Sequence, residues 1–269
     1  MPAVTVQDFT GVYSEQPFMQ KLRESAATDK NIHCFDCTQV DGTDCYCDDE
    51  AQAILRQQIE SAHGGSFGIH FFDNGNYHYM SKLWTDCVQE PFDLVVFDHH
   101  PDMQPPRFEG ILSCGGWIKE VLDHNKFVQN VIVIGVADHL VEEIREDLSQ
   151  ANEAEILNRV TFIRESEIAT PSSLSSHFTS LSSSLYISID KDALSTAEAA
   201  TNWDQGSLTF EQLADTLQTL AQNRKILGID ICGERARDMG FEDTAAADAL
   251  NNALNEKLYH TLAGLHGIQ

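Results

Sequence analysis

Short, nearly continuous apolar runs punctuate the chain at Ile32–Phe35, Phe67–Phe72, Leu94–Phe97, Val131–Val136, Val160–Ile163, Leu185–Ile189 and Ile226–Ile231. Most of their residues are β-branched or aromatic and polar residues bound them, as expected of strands buried on both faces of a parallel sheet. Helical spacing falls between several of the runs. After Asp49, the residues Ala51, Ile54, Leu55 and Ile59 form one apolar stripe, and Gly64-Gly65 supplies a stop. Phe210, Leu213, Ala214, Leu217, Leu220 and Ala221 form another, and Thr209 and Gln212 ahead of it have the spacing of a capping box. Alternating strands and helices imply βαβ units, hence an α/β fold with helices on both faces of a mostly parallel central sheet. The Ser-rich stretch 172–184 keeps Leu174, Phe178 and Leu181 at helix spacing, so it reads as a surface helix or loop inside one domain spanning 1–269.

Charge narrows the partners. The 42 acidic and 17 basic residues leave a formal charge of −25. So few scattered bases cannot neutralise a phosphate backbone, which argues against nucleic acid. The same balance argues against an anionic membrane surface. It favours a cationic small molecule or a metal ion. The first residues show no basic segment followed by an apolar core, and the longest apolar stretch, Val131–Ala137, is too short to span a bilayer. Seven cysteines, an odd number, point to a reducing compartment, and the chain is expected to be cytoplasmic.

The informative chemistry follows the apolar runs. Leu94–Phe97 leads into Asp98-His99-His100-Pro101-Asp102, Leu185–Ile189 into Asp190-Lys191-Asp192, and Ile226–Ile229 into Asp230 and then Glu234. In a parallel sheet these ends share one edge, where such folds place their binding crevice. Converging carboxylates repel one another and require a cation. In extended chain, residues i, i+2 and i+4 point the same way, so Asp98, His100 and Asp102 share a direction, as do Asp190 and Asp192. His78, after another strand end, adds a second imidazole. An oxygen-rich set with two imidazoles suits Mn²⁺ better than thiolate-seeking Zn²⁺. The bland reading of any single strand-end Asp is a turn or cap; two such motifs plus a placed His favour metal.

These residues resemble the ureohydrolase superfamily of arginase, agmatinase and formiminoglutamase. Its DxHxD motif is matched by Asp98–Asp102, its SxDxD motif by Ser188-Ile189-Asp190-Lys191-Asp192, and its glycine-rich His motif by Gly75-Asn76-Tyr77-His78. The resemblance implies a three-layer α/β/α sandwich and two manganese ions per chain. His78, Asp98, Asp102 and Asp190 would hold one ion, and His100, Asp98, Asp190 and Asp192 the other, with Asp98 and Asp190 bridging. It implies a hydrolase of linear C–N bonds in guanidine- or amidine-type molecules, with Asp102 also serving catalysis and the chain forming a homo-oligomer.

The substrate half departs from the family pattern. Leu112-Ser113-Cys114-Gly115-Gly116-Trp117 carries no His where arginases have a proton shuttle, and the glutamate expected after the last strand falls at Gly233, with Glu234 one position later. Glu234 is the candidate for catalysis and substrate binding, and Cys114 for lining the site. Gln104 and Arg107 offer contacts to a substrate carboxylate. Two other classes stay open: a deacetylase-like amidohydrolase, and a metal-binding regulator without catalysis. The Cys34, Cys37, Cys45 and Cys47 group fits no standard zinc module and reads as free thiols beside the pocket.

Overall fold

The computed structural model describes residues 2–63, 68–105, 110–168, 174–235 and 244–265. Strands β1 (Ala3–Asp8), β2 (Ile32–Asp36), β4 (Gly68–Phe71), β5 (Phe92–Phe97), β7 (Val128–Val136), β8 (Val160–Arg164), β9 (Ser184–Asp190) and β10 (Lys225–Cys232) form one sheet in the order β2-β1-β4-β10-β9-β5-β7-β8. Every pairing in it is parallel. A separate two-stranded pair joins β3 (Tyr46–Cys47) to β6 (Leu112–Ser113) antiparallel. All seven apolar runs lie on sheet strands, although Phe67 and Gly64-Gly65 fall outside the described residues.

The runs are continuous because each strand feeds two cores. In β5, Leu94 and Val96 pack into one core while Val95 and Phe97 pack into the other. In β7, Val131 and Val133 divide from Ile132 and Ile134 in the same way. Burying each such side chain contributes roughly 1.5–3 kcal/mol, so both faces reward an apolar residue. Residues of the helices Asp49–His63, Met80–Thr85, Trp117–His124 and Asp138–Gln150 enter the first core; Pro17–Ser25, Phe210–Ala221 and Thr244–Ala263 serve the second. This is the α/β/α sandwich expected. The capping box forms as read: the Thr209 hydroxyl accepts the Gln212 backbone N–H at 3.2 Å, and Gln212 Oε1 accepts the Thr209 N–H at 2.9 Å. The Ser-rich stretch contributes Leu174 and Phe178 to the second core before β9 begins.

Strand β1 carries no continuous apolar run, because Thr5 and Gln7 alternate with Val4 and Val6. Its polar residues are nonetheless buried, and Gln7 satisfies its amide by accepting from Trp84 Nε1 at 3.3 Å and donating to Gln58 at 3.0 Å. For the site, the decisive point is order: β4, β10, β9 and β5 are neighbours and run the same way, so their C-terminal ends meet at one place.

Candidate metal centre

From the end of β5, Asp98 stays in register, donating its backbone N–H to Ile134 O at 3.0 Å, while its Oδ1 accepts the His100 N–H at 2.6 Å. His99 turns aside, with Nδ1 3.3 Å from the Gly135 carbonyl. Asp102 itself is left-handed, φ 45°, so its side chain is aimed by a turn rather than by strand alternation. Its Oδ2 accepts Trp117 Nε1–H at 2.7 Å and its carbonyl accepts the Ile118 N–H at 3.1 Å, contacts that hold an unfavourable backbone conformation in place. Gly116 permits this packing, since a Cβ there would stand 2.7 Å from Gln104 O.

The end of β9 also turns where extended chain was expected. Asp190 Oδ1 accepts the Asp192 N–H at 2.9 Å, capping the short turn Lys191–Ala193 and swinging Asp192 towards His100. After β4, Asn74 accepts the Asn76 N–H at 2.8 Å and starts the turn Gly75–Tyr77, which delivers His78 into the interior. A Cβ on Gly75 would lie 3.0 Å from Asp190 Oδ2, so glycine lets this turn sit directly against the carboxylate.

The six residues meet. His78 Nδ1 lies 3.1 Å from Asp98 Oδ2, 3.1 Å from Asp102 Oδ2 and 3.6 Å from Asp190 Oδ2. His100 Nδ1 lies 2.9 Å from Asp192 Oδ2 and 3.5 Å from Asp98 Oδ1. Among the described residues the donors sort into three overlapping groups, His78–Asp98–Asp102, Asp98–His100–Asp192 and His78–Asp190–Cys232. All four carboxylates are buried, as is His78, whereas the His100 side chain is 24% exposed.

Such crowding is costly without a cation. Burial, then the charges of Asp192 and Asp98, push the Asp190 carboxyl up to about 7. Asp192 is raised by burial and by Asp98. Burial works against charge on His100, but hydrogen bonds to Asp192 and Asp98 outweigh it and carry that imidazole up to about 12. The direct test of fit is the pair His78 Nδ1 and Asp98 Oδ2, both buried and neither making a hydrogen bond of acceptable geometry. His78 Nε2 is engaged with Ser188 Oγ at 2.8 Å, so its other nitrogen turns towards three carboxylates. Oxygen and nitrogen donors arranged in this way suit divalent cations.

Above the cluster opens a cleft of about 420 Å³, walled by Asp98, His100, Asp102, Asp190 and Asp192 together with Gln104, Cys114, Tyr46 and Trp203. Cys114 therefore does face the cleft. Glu234 does not line it: it is fully buried behind, paired with Lys191 Nζ and accepting from Gln16 Nε2 at 2.9 Å, Asn251 Nδ2 at 2.9 Å and Asn255 Nδ2 at 2.7 Å. This corrects the expectation that Glu234 binds substrate. Asp230 also stays away, because β10 runs on to Cys232 and leaves Asp230 inside the strand, bound to His70 Nδ1 at 2.7 Å and Tyr186 OH at 2.8 Å. Asp138 opens a helix and accepts Ser166 Oγ–H at 2.6 Å. All seven cysteines are free thiols; of the Cys34–Cys47 group Cys45 lines the cleft, while Cys47 is buried in the first core. Arg107 lies outside the described residues.

Sequence reasoning passes over Cys232, and for Trp203, a candidate pocket wall, it takes core packing as the default. Trp203 is 43% exposed, its ring 5.8 Å from that of His100 and its Nε1 donating to Asn76 at 3.0 Å, so it is a cleft wall and not core. An aromatic residue in the polar stretch Asn202–Asp204 was the available signal. Cys232 ends β10 and places Sγ 3.1 Å from Asp190 Oδ2.

A sequence model described as the Arginase family matches residues 21–249. An uncharacterised protein of Thermotoga maritima is 28% identical over 236 residues, covering 87% of this chain and 80% of that protein. Among solved structures, proclavaminate amidino hydrolase from Streptomyces clavuligerus superposes with a TM-score of 0.66 at 17% identity, over 99% of this chain and 93% of that one. Trypanosoma cruzi formiminoglutamase with Mn²⁺ superposes with a TM-score of 0.63 at 11% identity, over 98% and 94%. At these identities the structural likeness speaks to the fold.

Proposed function

The chain belongs to the arginase family, and from that premise we propose that it is a metal-dependent hydrolase of linear C–N bonds outside peptides. Its substrate would be a guanidine-, amidine- or formimino-type cation, and its cofactor a pair of manganese ions. His78, Asp98, Asp102 and Asp190 would hold one ion; His100, Asp98, Asp190 and Asp192 would hold the other. The observation that carries this reading is the facing pair His78 Nδ1 and Asp98 Oδ2, buried and without hydrogen bonds among four carboxylates. When bound, a metal pair lowers the pKa of water and so makes a nucleophile available near neutral pH.

The chain's own residues would do the rest. Asp102, held by Trp117 Nε1, would accept the proton of the attacking water and pass it to the departing amine. No imidazole from the Leu112–Trp117 segment shares that task. Trp203 and Tyr46 line the cleft and offer aromatic faces to a cationic substrate. We place this activity in the cytoplasm, given seven free cysteines, and in a homo-oligomer, as the family resemblance implies. Among the described residues no helix is long and apolar enough to cross a membrane.

The test is metal content after purification with added Mn²⁺, followed by urea release from a panel of guanidines. Two equivalents of manganese and urea from at least one member are expected, and Asp190→Ala should lose both ions. Two equivalents with no urea from any guanidine, and no ammonia or formamide from amidine and formimino compounds, would favour a metal-binding protein without catalysis. Gly233 in the expected glutamate's place speaks for that second reading. Absence of bound metal would overturn the proposal.

A further inference from the structure

The candidate metal cluster has a donor that none of the three motifs supplies. Cys232, at the last position of β10, sets Sγ 3.1 Å from Asp190 Oδ2, the same oxygen that faces His78 Nδ1 at 3.6 Å. One ligand atom from each of His78, Asp190 and Cys232 lies within 4.8 Å of the others, and the three residues are 1%, 3% and 1% exposed. The backbone then leaves the site at once. Gly233 has φ 93°, and a Cβ there would stand 2.4 Å from Asp190 Oδ1. The last side chain that β10 can offer to the cluster is therefore a thiol, and His78 Nδ1 lies beside it with no hydrogen bond.

The two halves of the cluster consequently differ in chemistry. Asp98, His100 and Asp192 present oxygen and imidazole alone, a set suited to manganese. The half around His78 adds sulfur, which manganese accepts poorly and which zinc and cobalt accept well alongside nitrogen and oxygen. We infer that Cys232 is a ligand of the inner metal position and makes the centre asymmetric, with a thiolate-tolerant ion such as zinc at the His78 side and manganese at the His100 side. Coordination replaces the S–H bond by a metal–sulfur bond and releases the proton to solvent; no electron transfer is involved. This inference rests on the proposal that the cluster binds two metals, and it revises the identity of one of them.

The experiment uses the full chain, stripped of metal and reloaded with Co²⁺ alone. Wild type should show a near-ultraviolet sulfur-to-cobalt charge-transfer band that Cys232→Ser removes and that Cys114→Ser and Cys45→Ser retain. Loaded with Zn²⁺ alone, wild type should show a zinc–sulfur shell at about 2.3 Å by X-ray absorption, a readout that needs no variant. In equimolar Zn²⁺ and Mn²⁺, wild type should retain one of each per chain. Cys232→Ser should lose zinc preference by at least the roughly 10–100-fold that loss of an outer-shell partner brings. Two bound cobalt ions with neither band nor sulfur shell would overturn the inference and leave the metal-centre proposal standing, with Cys232 reduced to a donor to Asp190. No bound ion of any kind would overturn both.

Discussion

The hydroxyl of Ser188 stands 2.8 Å from Nε2 of His78, and Ser81 Oγ stands 2.9 Å behind it. Ser188 projects from β9 two residues before Asp190, so the strand that supplies a shared carboxylate also orients the imidazole facing it. With the proton on Nε2 directed at Ser188, Nδ1 faces Asp98, Asp102 and Asp190, the place a cation between them would take.

Ser188→Ala should therefore weaken metal binding without disturbing the sheet. The loss expected from removing such an outer partner is about 10–100-fold in affinity. Titration of stripped protein with Mn²⁺, followed by calorimetry, measures it. Unchanged affinity would show that Trp117, whose ring packs 4.8 Å from His78, suffices to hold the imidazole.

Glu234 and Lys191 form an ion pair with both side chains fully buried. Glu234→Gln leaves the ammonium uncompensated in the interior, and removing one partner of such a pair costs about 3–5 kcal/mol. Urea denaturation should show this loss, while metal loading at saturating Mn²⁺ stays at the wild-type level. A variant as stable as wild type but with a raised KM for a cationic substrate would return Glu234 to the substrate site.

The difference between His78 and Glu234 shows what the chain makes legible. Strands buried on two faces write themselves as apolar runs, and residues just past their ends fall on one edge whatever the local detail; hence the six candidate donors come together although Asp102 and Asp192 arrive by turns and not by alternation. Glu234 fails by a single position. Gly233 reverses the chain at φ 93°, and the glutamate's partner Lys191 is 43 residues away, inside a motif read only for its aspartates. Strand β1 was illegible for a related reason: Gln7 looks solvent-facing until Trp84 and Gln58 are seen to satisfy it.

Trp203 is the exposed wall of the cleft, and its loss should separate substrate binding from metal binding. Trp203→Ala is expected to leave two-metal loading intact and to raise KM for the cationic substrate by about tenfold, the upper part of what one cation–π contact of roughly 0.5–2 kcal/mol provides. Trp203→Phe should recover most of the loss. If kcat falls while KM stays constant, the indole acts on the reacting centre through His100, whose ring it approaches at 5.8 Å.

Stability without metal should fall as pH rises. Asp190 is pushed up to about 7 by burial and by Asp192 and Asp98, so between about pH 4 and pH 7 the native state holds a proton that the unfolded chain has already released. Where the native state binds more protons, unfolding becomes easier with increasing pH, and the full penalty from this group, on the order of 4 kcal/mol, is present above pH 7. His100 adds to the trend in the next window. Despite the opposing effect of burial, its bonds to Asp192 and Asp98 hold it up to about 12, so the stability it contributes is whole below about pH 6.5 and is lost on the way to pH 12. Denaturation in the presence of a chelator should thus show metal-free wild type matching Asp190→Asn near pH 4 and falling below it by several kcal/mol near pH 8. Added Mn²⁺ should rescue wild type at pH 8 and leave Asp190→Asn unmoved, since the variant lacks the shared carboxylate. A wild-type curve parallel to that of Asp190→Asn across this range would show that the carboxylate is not under electrostatic strain and would remove the physical reason for a cation at this site.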